Sequence, residues 1–157
     1  MSCIRRAQAR DTQAVLRLLV QVNMVHHNGR PDLFKGPATK YTAEDLQGIF
    51  ADAQRPVFVY ADDADQVLGY AFCVLQQHVN SQLMTDVKTL YIDDLCVDEA
   101  CRGQGIGAAL YEHALAYARG VGCYNVTLNV WAFNQGALRF YQKCGLAPQK
   151  ICMEKIL

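Results

Sequence analysis

Residues 89–108 read Thr-Leu-Tyr-Ile-Asp-Asp-Leu-Cys-Val-Asp-Glu-Ala-Cys-Arg-Gly-Gln-Gly-Ile-Gly-Ala, and this stretch decides the fold. Its first nine residues, Thr89 to Val97, carry the aliphatic, aromatic and β-branched side chains of a strand. A polar turn, Asp98 to Cys101, leads to Arg102-Gly103-Gln104-Gly105-Ile106-Gly107-Ala108. Ile106, Leu110, Ala114 and Tyr117 then recur at helical spacing, and Gly120 with Gly122 ends the run. The glycines stand where the chain leaves a strand and opens a helix, so several backbone N–H groups can point at one anion with no Cβ in the way. The positive end of the helix dipole lies at the same place. Such a turn binds phosphate, and holds a diphosphate mainly by backbone.

Three kinds of glycine turn do this, and spacing separates them. The phosphate loop of nucleotide hydrolases closes on Gly-Lys-Ser/Thr, whereas Ile106 and Ala108 flank the last glycine here, which excludes it. The dinucleotide fingerprint G-x-G-x-x-A is met literally by Gly103, Gly105 and Ala108. That fingerprint calls for an acidic residue about 20 residues later to hold a ribose, and Gly122 to Val130 offers Asn125 and Asn129 without a carboxylate. Four residues also part Val97 from Arg102, where the dinucleotide turn follows its strand directly. The third pattern, Arg/Gln-x-x-Gly-x-Gly/Ala, is filled in order by Arg102, Gly105 and Gly107. In this the sequence resembles the GNAT superfamily of acetyl-coenzyme A dependent N-acetyltransferases, whose members cradle the coenzyme's pyrophosphate on such a loop.

Composition sets the bounds. A chain of 157 residues, 52% hydrophobic and 19% charged, suits one globular domain over residues 1–157, long enough to bury roughly two thirds of its unfolded surface. The formal net charge is zero and no run of Lys or Arg exceeds a dipeptide, so no electrostatic footprint for nucleic acid or an anionic membrane is expected. No apolar stretch approaches the ~18 residues of a membrane span, and Met1-Ser-Cys-Ile-Arg-Arg leads into a polar segment unlike a signal peptide. A cytoplasmic protein is expected. The seven cysteines are odd in number, lack C-x-x-C spacing and lie mostly in apolar strands or at helix ends, which predicts free thiols and no metal site.

Along the chain, Ile4 to Ala7 reads as a short strand, and Asp11 as the N-cap of a helix with an apolar stripe of Val15, Leu18, Leu19, Val22 and Val25. His26 to Pro37, with two glycines and two prolines, reads as a loop of about a dozen residues, a length often given to function. Thr42-Ala-Glu-Asp45 has the form of a capping box, and Leu46, Ile49 and Phe50 supply the helix's buried face before Arg55-Pro56 stops it. Val57 to Ala61 and Val67 to Gln77 form a hairpin around the acidic turn at Asp62 to Asp65. Lys88 to Val97 is a strand, as is Asn125 to Trp131. Asn134 to Gly145 is a short helix with Asn at its start and Gly at its end, and Pro148 to Ile156 should close the sheet as a last strand. The alternation predicts a mixed sheet with helices on both faces.

Two adjacent carboxylates in an apolar strand need partners, because an uncompensated buried charge is expensive. Strict alternation puts Tyr91, Asp93, Leu95 and Val97 on one face and Ile92, Asp94 and Cys96 on the other. Ordinary pairing with an arginine or a backbone N–H is open for both, Asp94 above all. A second use is open to Asp93: acetyl transfer requires a neutral nitrogen, and an alkyl amine has a pKa near 10, so some group must take its proton. Cys96 would be the alternative nucleophile, but this alternation turns it away from Asp93 and no His stands beside it.

The C-terminal third extends the resemblance. Tyr91 to Val97 followed by Arg102 to Gly107, and Asn134 followed by Phe140-Tyr141 and Gly145, look most like the spermidine/spermine and thialysine N-acetyltransferase branch. The resemblance implies an α/β GNAT fold: a central, mostly antiparallel sheet of six to seven strands with about four helices on both faces. It implies that backbone at Leu95, Cys96 and Val97 holds the pantetheine arm of acetyl-coenzyme A, that Arg102 to Ala108, including Gln104, holds the pyrophosphate, and that Asn134 contacts the coenzyme arm. Tyr141 would return a proton to the departing thiolate. Asp93 would bind the cationic amine or relay its proton, with Asp94, Tyr91 and His27 around the acceptor, a small-molecule amine. Tyr141 also fits a plain core aromatic, since Ala137, Phe140 and Cys144 make that helix apolar. The branch usually has Glu where Asp93 stands, and the loop at His26 to Pro37 lacks an acidic cluster for a long polycation. The resemblance also implies a homodimer. Two other functions remain: an acetyltransferase of protein N-termini or lysines, and a coenzyme-binding sensor without turnover.

Overall fold

The computed structural model describes residues 1–157. In chain order it forms β1 (Cys3–Arg6), α1 (Thr12–Gly29), α2 (Ala43–Ala51), β2 (Val57–Ala61), β3 (Val67–Gln77), β4 (Lys88–Val97), α3 (Ile106–Gly120), β5 (Asn125–Leu128) and α4 (Gln135–Lys143), with short 3-10 turns at Ala9–Asp11 and Glu99–Cys101. The sheet has five strands in sequence order, antiparallel from β1 to β4 and parallel between β4 and β5. This is the expected mixed sheet, with fewer strands than the six to seven expected. No helix is long and apolar enough to cross a membrane.

Two apolar cores lie on opposite faces of the sheet. Val15, Leu18 and Leu19 of α1 and Leu46 and Ile49 of α2 pack on Val57, Val59, Tyr70, Phe72 and Cys96. On the other face Ile106, Leu110, Tyr111, Ala114 and Ala118 of α3 pack on Phe58, Ala71, Cys73, Leu90 and Ile92. Each helix meets the sheet through side chains three and four apart, the spacing that aligns them on one face. The Thr42 box is formed: Asp45 N–H donates to Thr42 Oγ1 at 3.1 Å and Thr42 N–H to Asp45 Oδ2 at 2.9 Å. Asp11 precedes α1 as expected, but its carboxylate does not cap it. The Arg5 guanidinium takes both carboxylate oxygens at 2.8 and 3.0 Å, and the Gln8 N–H donates to one of them at 2.7 Å. An Arg fork satisfies a carboxylate better than a helix end does.

Three expected elements differ, the first being β5, which ends at Leu128 and not at Trp131, where its pairing with β4 stops. α1 runs to Gly29, so His26 and His27 close a helix and the loop begins at Arg30. The helical ladder carries on past His26, whose carbonyl accepts from Arg30 N–H at 2.8 Å. Residues 147–157 form no strand and are exposed throughout. Their side chains suit a strand, but no neighbouring strand lies beside them in the chain.

Candidate active site

The site is organised by an irregularity in β4. Phe72 of β3 pairs with Asp94, and the next residue, Cys73, pairs with Ile92, so Asp93 has no partner. This is a β-bulge: two residues of one strand oppose one of the other. It corrects the alternation read from the sequence. Leu90 and Ile92 face α3, and so do Leu95 and Val97, which pack against the same core; Cys96 lies in the core under α1 and α2. Asp93 and Asp94 are turned to that second side together, Asp94 toward Tyr70 and Asp93 toward Tyr41, whose ring stacks on Phe72 at 5.6 Å.

The two carboxylates have different surroundings. Asp94 accepts from the Tyr70 hydroxyl at 2.7 Å, and burial pushes its carboxyl up to about 6 against the pull of that hydrogen bond. Asp93 Oδ2 accepts from Lys40 Nζ at 2.8 Å and from the Tyr41 hydroxyl at 3.1 Å. The Arg55 guanidinium in turn donates to the Tyr41 oxygen at 3.2 Å. Burial lowers the Lys40 ammonium, but Asp93 more than offsets it and the net shift is upward. Lys40, Tyr41, Arg55 and Tyr70 were not singled out in the sequence. Lys40 stands 53 residues from Asp93, in a stretch without periodicity, and no spacing rule joins them.

β4 also loses a neighbour at this point. Its parallel pairing with β5 runs from Thr89 with Asn125 to Ile92 with Leu128 and stops. From Asp93 to Val97 the strand has β3 on one side and a gap on the other, closed lower down by α4. Phe140 of α4 reaches Gly107 beside the open strand: a Cβ at Gly107 would stand 3.6 Å from Val97, 3.7 Å from Phe140 and 3.9 Å from Leu95. Tyr141, next along α4, lies edge-on to Tyr111 at 6.4 Å. Its hydroxyl has no hydrogen bond within the chain and is not among the buried unpartnered atoms, of which Arg5 Nε is the sole case. Burial, and then the charge of Asp94, hold its phenol above the ordinary tyrosine range. Tyr141 therefore keeps its proton at neutral pH.

The glycine loop fits an anion. Gly103 and Gly105 have φ of 82° and 79°, a left-handed conformation that costs other residues about 1 kcal/mol or more. A Cβ at either would meet nothing within 4 Å, so backbone conformation and open approach account for these glycines. Gly105 caps α3 without any side-chain hydrogen bond, and the first-turn N–H groups of Ile106, Gly107 and Ala108 have no carbonyl partner; the ladder begins with Ala109 on Gly105. These are the orphan donors and dipole end that a pyrophosphate would occupy. The turn before the loop is anchored to α1: Arg17 pairs with buried Asp98, whose Oδ1 accepts from Ala100 N–H at 3.1 Å.

The remaining expected residues are placed as follows. Asn134 is the N-cap of α4, its Oδ1 accepting from Ala137 N–H at 3.1 Å. Tyr91 lies on the carboxylate side of β4, and its hydroxyl accepts from Asn129 at 3.1 Å. His27 is committed to the fold, with Nδ1 at 2.7 Å from Phe34 O and its ring against Gly36. The neighbouring His26, with Phe34, Trp131 and Phe133, forms an aromatic cluster with ring centroids 5.0 to 6.4 Å apart at the end of α1. Cys96 shares a face with Asp93 after all, because of the bulge. It is still unsuited as a nucleophile: burial, and then the Asp94 charge, push its thiol up to about 12. All seven cysteines are free.

Comparison with known proteins gives the following. A family model described as the acetyltransferase (GNAT) family matches residues 23–146. Glucosamine 6-phosphate N-acetyltransferase 1 of Oryza sativa is 36% identical over 63 residues, 40% of this chain and 36% of the relative. A peptidyl-lysine N-acetyltransferase of Salmonella typhimurium is 35% identical over 107 residues, 67% of this chain and 60% of the relative. The matches thus span about a third to three fifths of these two relatives. Among solved structures, a tetramutant of the BH1408 protein of Bacillus halodurans is 34% identical with a TM-score of 0.94, covering 99% of both chains.

Proposed function

The chain belongs to the GNAT family of acetyltransferases, and from that premise we propose that residues 1–157 act as one unit that transfers the acetyl group of acetyl-coenzyme A to a primary amine of a small molecule. One observation carries this reading: β4 parts from β5 at the same residue, Asp93, where the bulge turns a carboxylate out of the ladder. The opened edge of Leu95 to Val97 receives the pantetheine arm by backbone hydrogen bonds, and the loop from Arg102 to Ala108 receives the pyrophosphate. Asn134, beyond its cap, supplies its side-chain amide to the coenzyme arm. Asp93 holds the acceptor ammonium and passes its proton toward solvent, and the neutral nitrogen attacks the thioester carbon directly. Tyr141, protonated at neutral pH, gives its proton to the departing thiolate.

A polyamine acceptor, which the resemblance to the spermidine/spermine and thialysine branch would imply, is disfavoured by the ammonium of Lys40 on Asp93. The same contact supports a second reading, a lysine side chain as acceptor, since a lysine ammonium already fits that carboxylate at 2.8 Å. We place the reaction in the cytoplasm, consistent with seven unbridged cysteines.

We also propose a homodimer in which residues 147–157 of one copy add to the free edge of β5 in the other. Ile151, Met153, Ile156 and Leu157 are each at least 75% exposed, and Tyr124 beside β5 is 76% exposed, an arrangement costly for a lone chain. Removal of residues 147–157 should convert the dimer to a monomer in sedimentation, and an unchanged mass would end this proposal.

The function is tested by mass spectrometry of the protein with acetyl-coenzyme A and a panel of polyamines, amino acids, amino sugars, aminoglycosides and lysine peptides. Mass detection avoids interference from the seven thiols. One small amine should gain an acetyl group, and Asp93→Asn should lower kcat/KM for it by roughly 10- to 100-fold, the worth of a hydrogen bond to a charged group. Coenzyme binding without transfer to any amine would replace the enzyme by a sensor.

A further inference from the structure

The carboxylate assigned to the acceptor amine is already half of an ion pair. Lys40 Nζ stands 2.8 Å from Asp93 Oδ2, and the Tyr41 hydroxyl donates to the same oxygen, so Oδ1 is left without a partner in the chain. Arg55 adds a second cation to this wall, 5.8 Å over the Tyr41 ring and hydrogen-bonded to its oxygen. Lys40 is about half exposed while Asp93 is 16% exposed, so the ammonium lies at the mouth and the carboxylate below it. Arg30, which opens the loop that carries Lys40, is spent on Asp32 and Glu154. Asp94 is turned to Tyr70 and sits in a setting that disfavours its charge.

These charges discriminate among amines. A diamine or polyamine brings a second positive charge to a mouth that Lys40 and Arg55 already make positive, and must push Lys40 off Asp93 to enter. A bare monoamine displaces Lys40 and leaves its ammonium without a counter-charge. An amine that also carries an anionic group does neither: its ammonium takes Asp93, its anion takes Lys40, and the alternating charges stay balanced. Lys40 has further N–H donors for a carboxylate or phosphate oxygen.

Building on the acceptor role proposed above for Asp93, we infer that the acceptor is a zwitterion, a primary amine bearing a carboxylate or phosphate, and that Lys40 is the residue that selects it. The anion does not take part in the transfer; Lys40 positions the substrate and lowers its KM.

The test uses two matched pairs: L-lysine against 1,5-diaminopentane, and glucosamine 6-phosphate against glucosamine. Each is measured with the wild-type protein, with Lys40→Met and with Lys40→Arg. In at least one pair the acid-bearing member should be favoured tenfold or more in kcat/KM, mostly through KM, and the pair that does so tells carboxylate from phosphate. Lys40→Met should erase that preference by raising KM for the acid-bearing member, with kcat little changed, and Lys40→Arg should restore much of it. A ratio near one in both pairs, or a preference that survives Lys40→Met, overturns the inference while leaving the acetyltransferase in place. Transfer to none of the four but to another amine of the panel overturns this inference alone; transfer to no amine at all, with coenzyme still raising the melting temperature, overturns the acceptor role of Asp93 and this inference with it.

Discussion

The two halves of β4 are held in different ways. From Lys88 to Ile92 the strand has a partner on each side, β3 and β5, and its inward residues Leu90 and Ile92 are 0% and 2% exposed. From Asp93 to Val97 it has β3 alone on its ladder, and five residues carry one bulge, two carboxylates and an open edge. The first half spends its backbone on the sheet; the second leaves part of its backbone unpaired. Under the proposed roles, rigidity and chemistry share one strand without sharing residues, so substitutions in the two halves should act separately.

The largest effect is expected in the paired half. Leu90→Ala removes a fully buried side chain and should cost about 2–5 kcal/mol, a drop of roughly 5–15 °C in melting temperature. The folded fraction at low temperature should turn over normally; a large loss of kcat there would mean that the halves are coupled. Next, Tyr141→Phe, across the gap from the open half, should lower kcat by about 100-fold or more while melting temperature and KM for acetyl-coenzyme A barely move. A stability loss without a kcat loss would make Tyr141 a packing residue.

Asp94→Asn probes the junction. Burial raises the folded Asp94 carboxyl to about 6, above its unfolded value near 4. The folded chain holds this proton where the unfolded chain has lost it, so the stability that Asp94 contributes is complete below about pH 4 and lost as pH rises through about 6. The variant should therefore gain on the wild type between these pH values in denaturant titrations, and parallel curves would refute the assignment. The smallest effect should come from Gly105→Ala, where φ of 79° costs about 1 kcal/mol in strain and no atom stands in the way. Its weakened affinity should be specific to the coenzyme, with the acceptor KM unchanged.

Much of the scaffold could be read from residues alone. β2, β3 and β4 begin and end where the apolar runs and the acidic turn placed them, because hairpin alternation and turn chemistry are local signals. The glycine loop was legible for the same reason: strand, turn and helix start follow one another within twenty residues. The bulge was not, since a period of two contains no sign of where it slips. Lys40 and Tyr41 were invisible because their value lies in reaching a strand more than fifty residues away. Residues 147–157 have the composition of a strand, and composition is silent on whether a neighbouring strand lies beside them. His27 was read as a group facing the acceptor, whereas a helix longer by one turn makes it a brace for Phe34.

The bulge has a consequence for how such a site can arise. If Asp93 were excised, Ile92 would be followed by Asp94, Leu95 and Cys96, and each of these would still face the side it faces now. The pair Asp93–Asp94 thus holds one extra letter in an otherwise regular strand, which the sheet can lose without any other side chain changing sides. A residue so dispensable to packing is open to selection for reactivity alone, and one added codon suffices to put it there.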